Sequence, residues 1–146
     1  VPERARSTLH NQAARQSRTK RPTASRPTIP ATVRAALAAR SDGICEMALP
    51  ACTGLAVDPA HRIRTGMGGR KREAKIAHDV LSNLIHSCRS CHRWTHSEPT
   101  ASDGMGLIVR DGSDPLKRPV LYRGSWRLLD DCGSVTPTDK PEEAAA

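Results

Sequence analysis

DPAHRIRTGMGGRKREAKIAHDVLSNLIHSCRSCHRWTH, residues 58–96, is the stretch around which the chain is organised. A short apolar run, residues 55–57, leads into it and ends near His61. A loop follows in which Gly66, Gly68 and Gly69 stand among Arg62, Arg64, Arg70, Lys71 and Arg72. Glycine lets a backbone approach another backbone or a phosphate closely, and the cations supply counter-charge for an anion. A second strand is expected over residues 81–86, carrying Asn83. A helix is then expected over residues 89–97, stopping ahead of Pro99 because the residue before a proline is biased away from helical geometry. His92 and His96 lie four apart on that helix, so both imidazoles share one face, a spacing that suits two ligands of one divalent ion.

Four cysteines bracket the stretch as two pairs. Cys88 and Cys91 form a tight C-x-x-C knuckle, and Cys45 and Cys52 form a wider one with six residues between them. Thiolates in this number and pairing match a tetrahedral structural zinc site. A domain with 2% aromatic residues and no Phe has little ring volume for a core, and small domains with thin cores are commonly held by a metal or by disulfides. The fifth cysteine, Cys132, stands apart and is expected to be a free thiol.

Working outward, Pro30 opens an Ala-rich helix with Val33 and Leu37 on its apolar stripe and Gly43 as its stop. Beyond the central stretch, three short strands are expected over residues 106–110, 119–122 and 126–129, punctuated by Gly112, Pro115 and Gly124. Residues 1–29 carry Arg4, Arg6, Arg15, Arg18, Lys20, Arg21 and Arg26 against a single acid, Glu3. That composition cannot bury enough apolar surface to fold and suits a solvated tail or a phosphate-binding arm. Residues 133–146, rich in Pro, Thr, Glu and Ala, are expected to be disordered as well. The folded part is thus residues 30–132, with a core at 45–97 and a β extension at 105–132.

The 146 residues fit one domain with tails, and the formal charge of +8 favours an anionic partner, with nucleic acid first. No apolar run is long enough to span a bilayer, so a membrane is not an expected partner. The expected setting is intracellular, the cytoplasm of a host cell, where paired cysteines more often bind metal than form disulfides.

His61, Asn83 and His92, with the C…C and CxxCH brackets, HRxRxGMGG, SNL and CRxCHRW, together resemble the zinc-stapled HNH endonucleases, particularly those of bacteriophages. The resemblance covers roughly the middle third of the chain. It implies an α+β domain with a small ββα-metal, treble-clef-like core, a structural zinc on Cys45, Cys52, Cys88 and Cys91, an N-terminal helix and short C-terminal strands. It also implies DNA phosphodiester hydrolysis, with His61 as general base and a catalytic Mg²⁺, Mn²⁺, Ni²⁺ or Zn²⁺ held by His92 and His96. Asn83 either helps to bind that ion or ties the loop that aims His61. Arg62, Arg64, Arg70, Lys71 and Arg72 become candidate DNA contacts, and phage terminase subunits candidate partners.

The chain departs from the family at Ala60, where a metal-ligating Asp or His is usual. Asp58 lies on the same strand face, about 6.6 Å back along it, and is one candidate replacement; water, a substrate phosphate, His78 and Asp79 are the others. The alternative to an active nuclease is a catalytically weak or silent zinc-stapled DNA-binding module.

Overall fold

The computed structural model describes residues 28–65 and 77–142. Helix α1, Ala31–Ser41, starts after Pro30 and ends where Asp42 and then Gly43 take left-handed backbone (φ 52° and 69°). Leu37 is its buried contact, in a small apolar cluster with Ile29, Leu81 and Leu84. Strands β1, Asp58–His61, and β2, Leu84–Ser87, form an antiparallel pair with Asp58 opposite Ser87 and His61 opposite Leu84. Helix α2, Arg89–Ser97, follows β2 directly and packs against β1.

Two local expectations change here. Residues 55–57 do not form the strand: Leu55 makes only an isolated bridge to Ile44, and β1 begins three residues later. The expected strand over residues 81–86 is divided, with a 3₁₀ turn at Leu81–Asn83 before β2. The turn sends the Asn83 N–H to the Val80 carbonyl (3.1 Å), while the Asn83 carbonyl still accepts from Arg62 N–H (2.8 Å) at the end of the β1–β2 pairing.

Helix α3, Pro99–Gly104, has proline in its first turn, where the missing N–H costs nothing. The same proline that ends α2 therefore starts a further helix. Residues 106–110 are irregular rather than a strand. Three strands, β3 Val120–Tyr122, β4 Ser125–Leu129 and β5 Val135–Pro137, make an antiparallel sheet in that order. Arg123 and Gly124 join β3 to β4, both with positive φ (47° and 80°), the backbone that a two-residue hairpin requires. Strand β5 falls in the segment expected to be disordered. Asp130 makes it possible, accepting from the Cys132 and Ser134 amides at 2.9 and 2.7 Å and so turning the chain back onto β4.

The protein is thus a small mixed helix-and-strand domain with two small sheets. Its main core gathers Met47, Leu49, Ile85, Leu107, Val120, Tyr122 and Leu129 around Cys45, Cys88 and Cys91. Among the described residues, no helix is long and apolar enough to cross a membrane.

Candidate metal centre and histidine site

The clearest site is the cysteine cluster. The Sγ atoms of Cys45, Cys52, Cys88 and Cys91 all lie within 4.8 Å of one another, and those of Cys52 and Cys88 are 3.9 Å apart. Thiolates at the corners of a zinc tetrahedron, with bonds of about 2.3 Å, would stand about 3.8 Å apart. None of the four is in a disulfide. Backbone amides point at the sulfurs: Cys88 N–H donates to Cys45 Sγ (3.2 Å), Cys91 N–H to Cys88 Sγ (3.4 Å) and Gly54 N–H to Cys52 Sγ (3.3 Å). Such donors favour thiolate over thiol.

Cys88 caps the N-terminus of α2 with its sulfur, where the helix dipole also favours negative charge. Burial pushes the Cys88 thiol up, but donors from Thr53 and Cys91 outweigh it and leave its pKa at about 6. Burial pushes the Cys91 and Cys52 thiols upward, so these deprotonate readily only with a cation to balance them. Donor set, spacing and amide cradle together fit a structural metal such as zinc. Cys132 is exposed and outside the cluster.

The histidines are organised from β1 and α2. His61 ends β1, and its Nε2 lies 2.8 Å from Asp79 Oδ1. The His78 ring stacks on His61, with centroids 4.4 Å apart and planes 13° from parallel. Asn83, only 1% exposed, ties this arrangement together. Its Oδ1 accepts from Ile63 N–H (2.8 Å) and its Nδ2 donates to the His78 carbonyl (2.9 Å). One amide therefore fastens the chain leaving His61 to the chain carrying His78 and Asp79.

His92, in the first turns of α2, has Nδ1 3.5 Å from Asp58 Oδ2, and its ring centroid is 5.2 Å from that of His96. Asp58 also accepts from Arg89 at 3.3 Å. Burial, then His92 and Arg64, lower the His96 pKa below the ordinary imidazole value, which keeps that ring neutral and able to ligate at pH 7. Asp58, His92 and His96 do not converge as the cysteines do: among the described residues, the cysteine group alone brings three or more ligand atoms within 4.8 Å. Asp58 and His61 stand at opposite ends of β1, roughly 10 Å of backbone apart. Ala60, between them, is buried against the core.

The cations expected to face DNA divide three ways. Arg62 does not reach solvent at all, with 0% exposure. Its guanidinium donates to the carbonyls of Gly106, Ser82, Pro115 and Arg118 at 2.7–3.1 Å, which corrects its assignment as a phosphate contact. Burial, with Arg118 and Arg40 nearby, lowers its pKa to about 9, so it remains charged at neutral pH. Arg64 is exposed and donates to the Thr95 carbonyl at 2.8 Å, bridging the loop to α2. Arg70, Lys71 and Arg72 lie outside the described residues.

A second ionic cluster has no sequence signature. Arg40 grips the Glu46 carboxylate with two hydrogen bonds (2.8 and 2.6 Å) and donates to the Leu81 and Leu84 carbonyls. Glu46 also accepts from the His86 amide (2.7 Å) and Tyr122 hydroxyl (3.2 Å). The residue next to Cys45 is thereby locked to β2 and to the second sheet. An Arg–Glu separation of six residues resembles no helical or strand pairing, so only the tertiary fold reveals it. Comparison with protein-family models, with curated proteins and with solved structures finds no match.

Proposed function

We propose that the protein is a metal-dependent endonuclease that hydrolyses DNA phosphodiesters, of the HNH type that its sequence resembles. The observation that carries the reading is the joint placement of His61 and His92. The cysteine cluster pins the N-terminus of α2, α2 packs on β1, and the two histidines sit on those adjoining elements. A protein that only binds DNA has little need for a histidine held by a buried carboxylate and a stacked ring. A formal charge of +8 and the exposed Arg64 and Arg93 suit a polyanionic substrate.

In the proposed reaction, a neutral imidazole of His61 takes a proton from water as the water oxygen bonds to phosphorus. The P–O3′ bond breaks, the departing oxygen gains a proton from solvent, and 5′-phosphate and 3′-hydroxyl ends result. Asp58 and His92, with Oδ2 and Nδ1 3.5 Å apart, are the candidate pair for a divalent ion, and His96, which does not converge with them, would have to move to join. Such an ion, when bound, supplies Lewis-acid stabilisation of charge on the phosphate and the leaving oxygen. Asn83 acts here as the loop tie, since both ends of its amide are engaged with backbone.

Ala60 favours one competing reading, a zinc-stapled DNA-binding module without catalysis. Its buried methyl group takes the place of a ligand in the related enzymes. A plasmid assay separates the two. Supercoiled DNA with protein and Mg²⁺, Mn²⁺, Ni²⁺ or Zn²⁺ becomes nicked or linear, while EDTA and His61→Ala abolish the product. Salt-sensitive binding with intact plasmid under every ion would reject the enzyme and leave the binding module.

A further inference from the structure

We infer that Asp79 is the positioning residue that fixes the tautomer of His61. The inference rests on the nuclease reading, and it specifies which imidazole nitrogen performs the chemistry. Asp79 is a charged side chain only 3% exposed, and a buried carboxylate is costly unless it has hydrogen-bond donors. His61 provides one, with Nε2 at 2.8 Å from Oδ1. A carboxylate accepts and cannot donate, so the hydrogen on this contact belongs to His61. In the neutral ring only one nitrogen carries hydrogen, and with Nε2–H given to Asp79, Nδ1 becomes the basic nitrogen.

Orientation is fixed by the adjacent residue. His78 lies flat against the ring and restricts its rotation, while Asp79 sets its in-plane direction. Asn83 holds the His78 carbonyl and the Ile63 amide, so the dipeptide His78-Asp79 forms a cradle tied to the chain leaving β1. A histidine so held presents Nδ1 to the attacking water without a search among tautomers or rotamers. As the ring takes the proton, the carboxylate stabilises the imidazolium that forms, the role a buried Asp plays beside a catalytic histidine elsewhere.

The experiment combines the spectroscopic state of His61 with its chemistry, on the full zinc-loaded chain. Long-range ¹H–¹⁵N spectra at alkaline pH, assigned through His61→Ala, report which nitrogen carries the proton. The wild type is expected to be the Nε2–H tautomer, and Asp79→Asn and Asp79→Ala to show a mixture or the Nδ1–H form. Plasmid cleavage should fall roughly 10²–10⁴-fold in either variant. Adding Asp79→Asn to His61→Ala should cost nothing more, because the effect runs through His61. Unchanged zinc content and melting temperature in Asp79→Asn separate positioning from folding.

An Nδ1–H wild-type ring, or equal cleavage by wild type and variants, would overturn the assignment while leaving the nuclease intact. Loss of cleavage that is restored by raising the divalent ion would make Asp79 an ion ligand and also overturn it. No cleavage by wild type under any ion removes the nuclease reading and the catalytic role of Asp79 with it.

Discussion

Arg62 holds a full positive charge out of solvent, and the four carbonyls it serves come from three separate segments: the 3₁₀ turn before β2, the chain after α3 and the approach to β3. Hydrogen bonds to charged groups contribute about 1.5–3 kcal/mol each, and the desolvation of the guanidinium offsets much of the sum. Removing the partner is a different matter, because the carbonyls stay buried and lose their donor. Arg62→Met should therefore destabilise the domain by about 3–5 kcal/mol, read as a lower denaturant midpoint, while DNA affinity per folded molecule stays unchanged. A loss of affinity without a loss of stability would return Arg62 to the phosphate-contacting role that its loop position suggests. His86 offers a test at the same scale. Burial depresses its pKa below 6.5, Arg40 adds to the effect, and Glu46 and Asp58 oppose it; its Nδ1 meets Ser41 Oγ at 2.6 Å. The unfolded ring takes a proton near pH 6.5 and the folded ring only at lower pH. Its contribution is accordingly complete above pH 6.5 and is lost as pH falls from there through the folded value. Melting temperature should drop on acidification over this window, and His86→Gln should flatten the slope; parallel slopes would exclude His86 as a source.

The elements differ in how far local sequence determines them. Helix α2 is legible because CxxC supplies its cap and Pro99 marks its end, and β3 and β4 are legible as two short apolar runs on either side of Gly124. By contrast, β5 depends on Asp130 turning the chain back onto β4, and Pro137 argues against a strand that Val135 and Thr136 favour. The 3₁₀ turn at Leu81–Asn83 has no local signature either; tertiary bonds from Arg62, Arg40 and Asp131 to its backbone select it. Arg123 illustrates the same principle. A left-handed position in a two-residue turn ordinarily goes to Asn, Asp or Gly, yet Arg123 takes it, because its guanidinium reaches the Ser41, Ile44 and Cys45 carbonyls and stands over the Tyr122 ring at 5.1 Å from its centroid. The histidine site divides likewise: Asn83 and His61 stand out in sequence, whereas Asp79 and His78, legible there only as substitute ion ligands, show their contacts with the His61 ring only in the fold. Gly106 tests the junction between α3 and the second sheet. Its φ is +69°, and a Cβ there would lie 1.9 Å from the Pro119 carbonyl oxygen, which is backbone and cannot rotate away. Gly106→Ala should cost about 3 kcal/mol or more and perturb β3 first, visible as faster amide exchange at Leu121, whose N–H bonds to Met105 O. Wild-type exchange and stability in this variant would show that the junction can yield.

At the scale of the whole molecule, the cysteine cluster is where otherwise separate parts meet. Cys45 and Cys52 come from the segment after α1, while Cys88 and Cys91 begin α2. Glu46, beside Cys45, connects the same point to α1 through Arg40, to β2 through the His86 amide and to the second sheet through Tyr122. Three of the four sulfurs lie inside the main apolar cluster and Cys52 packs at its edge, so an unoccupied set of thiolates would put repelling charges into the core, and protonated thiols would leave the amide cradle poorly matched. Structural zinc contributes about 10–16 kcal/mol in small finger peptides near pH 7, as much as the entire net stability of a typical domain, about 5–15 kcal/mol. Metal and fold should thus be lost together. Purified protein is expected to hold one zinc per chain, and a strong chelator should abolish the cooperative melt and near-ultraviolet signal of Trp94, which packs against the cluster. Cys88→Ser should do the same without chelator, since it removes both a ligand and the cap of α2, whereas Cys132→Ser, at an exposed thiol outside the group, should leave zinc content and melting unchanged. A chelated protein that melts as cooperatively as the zinc form would mean that the arginine–carbonyl network and apolar clusters suffice without metal, and the cysteines would then need another explanation.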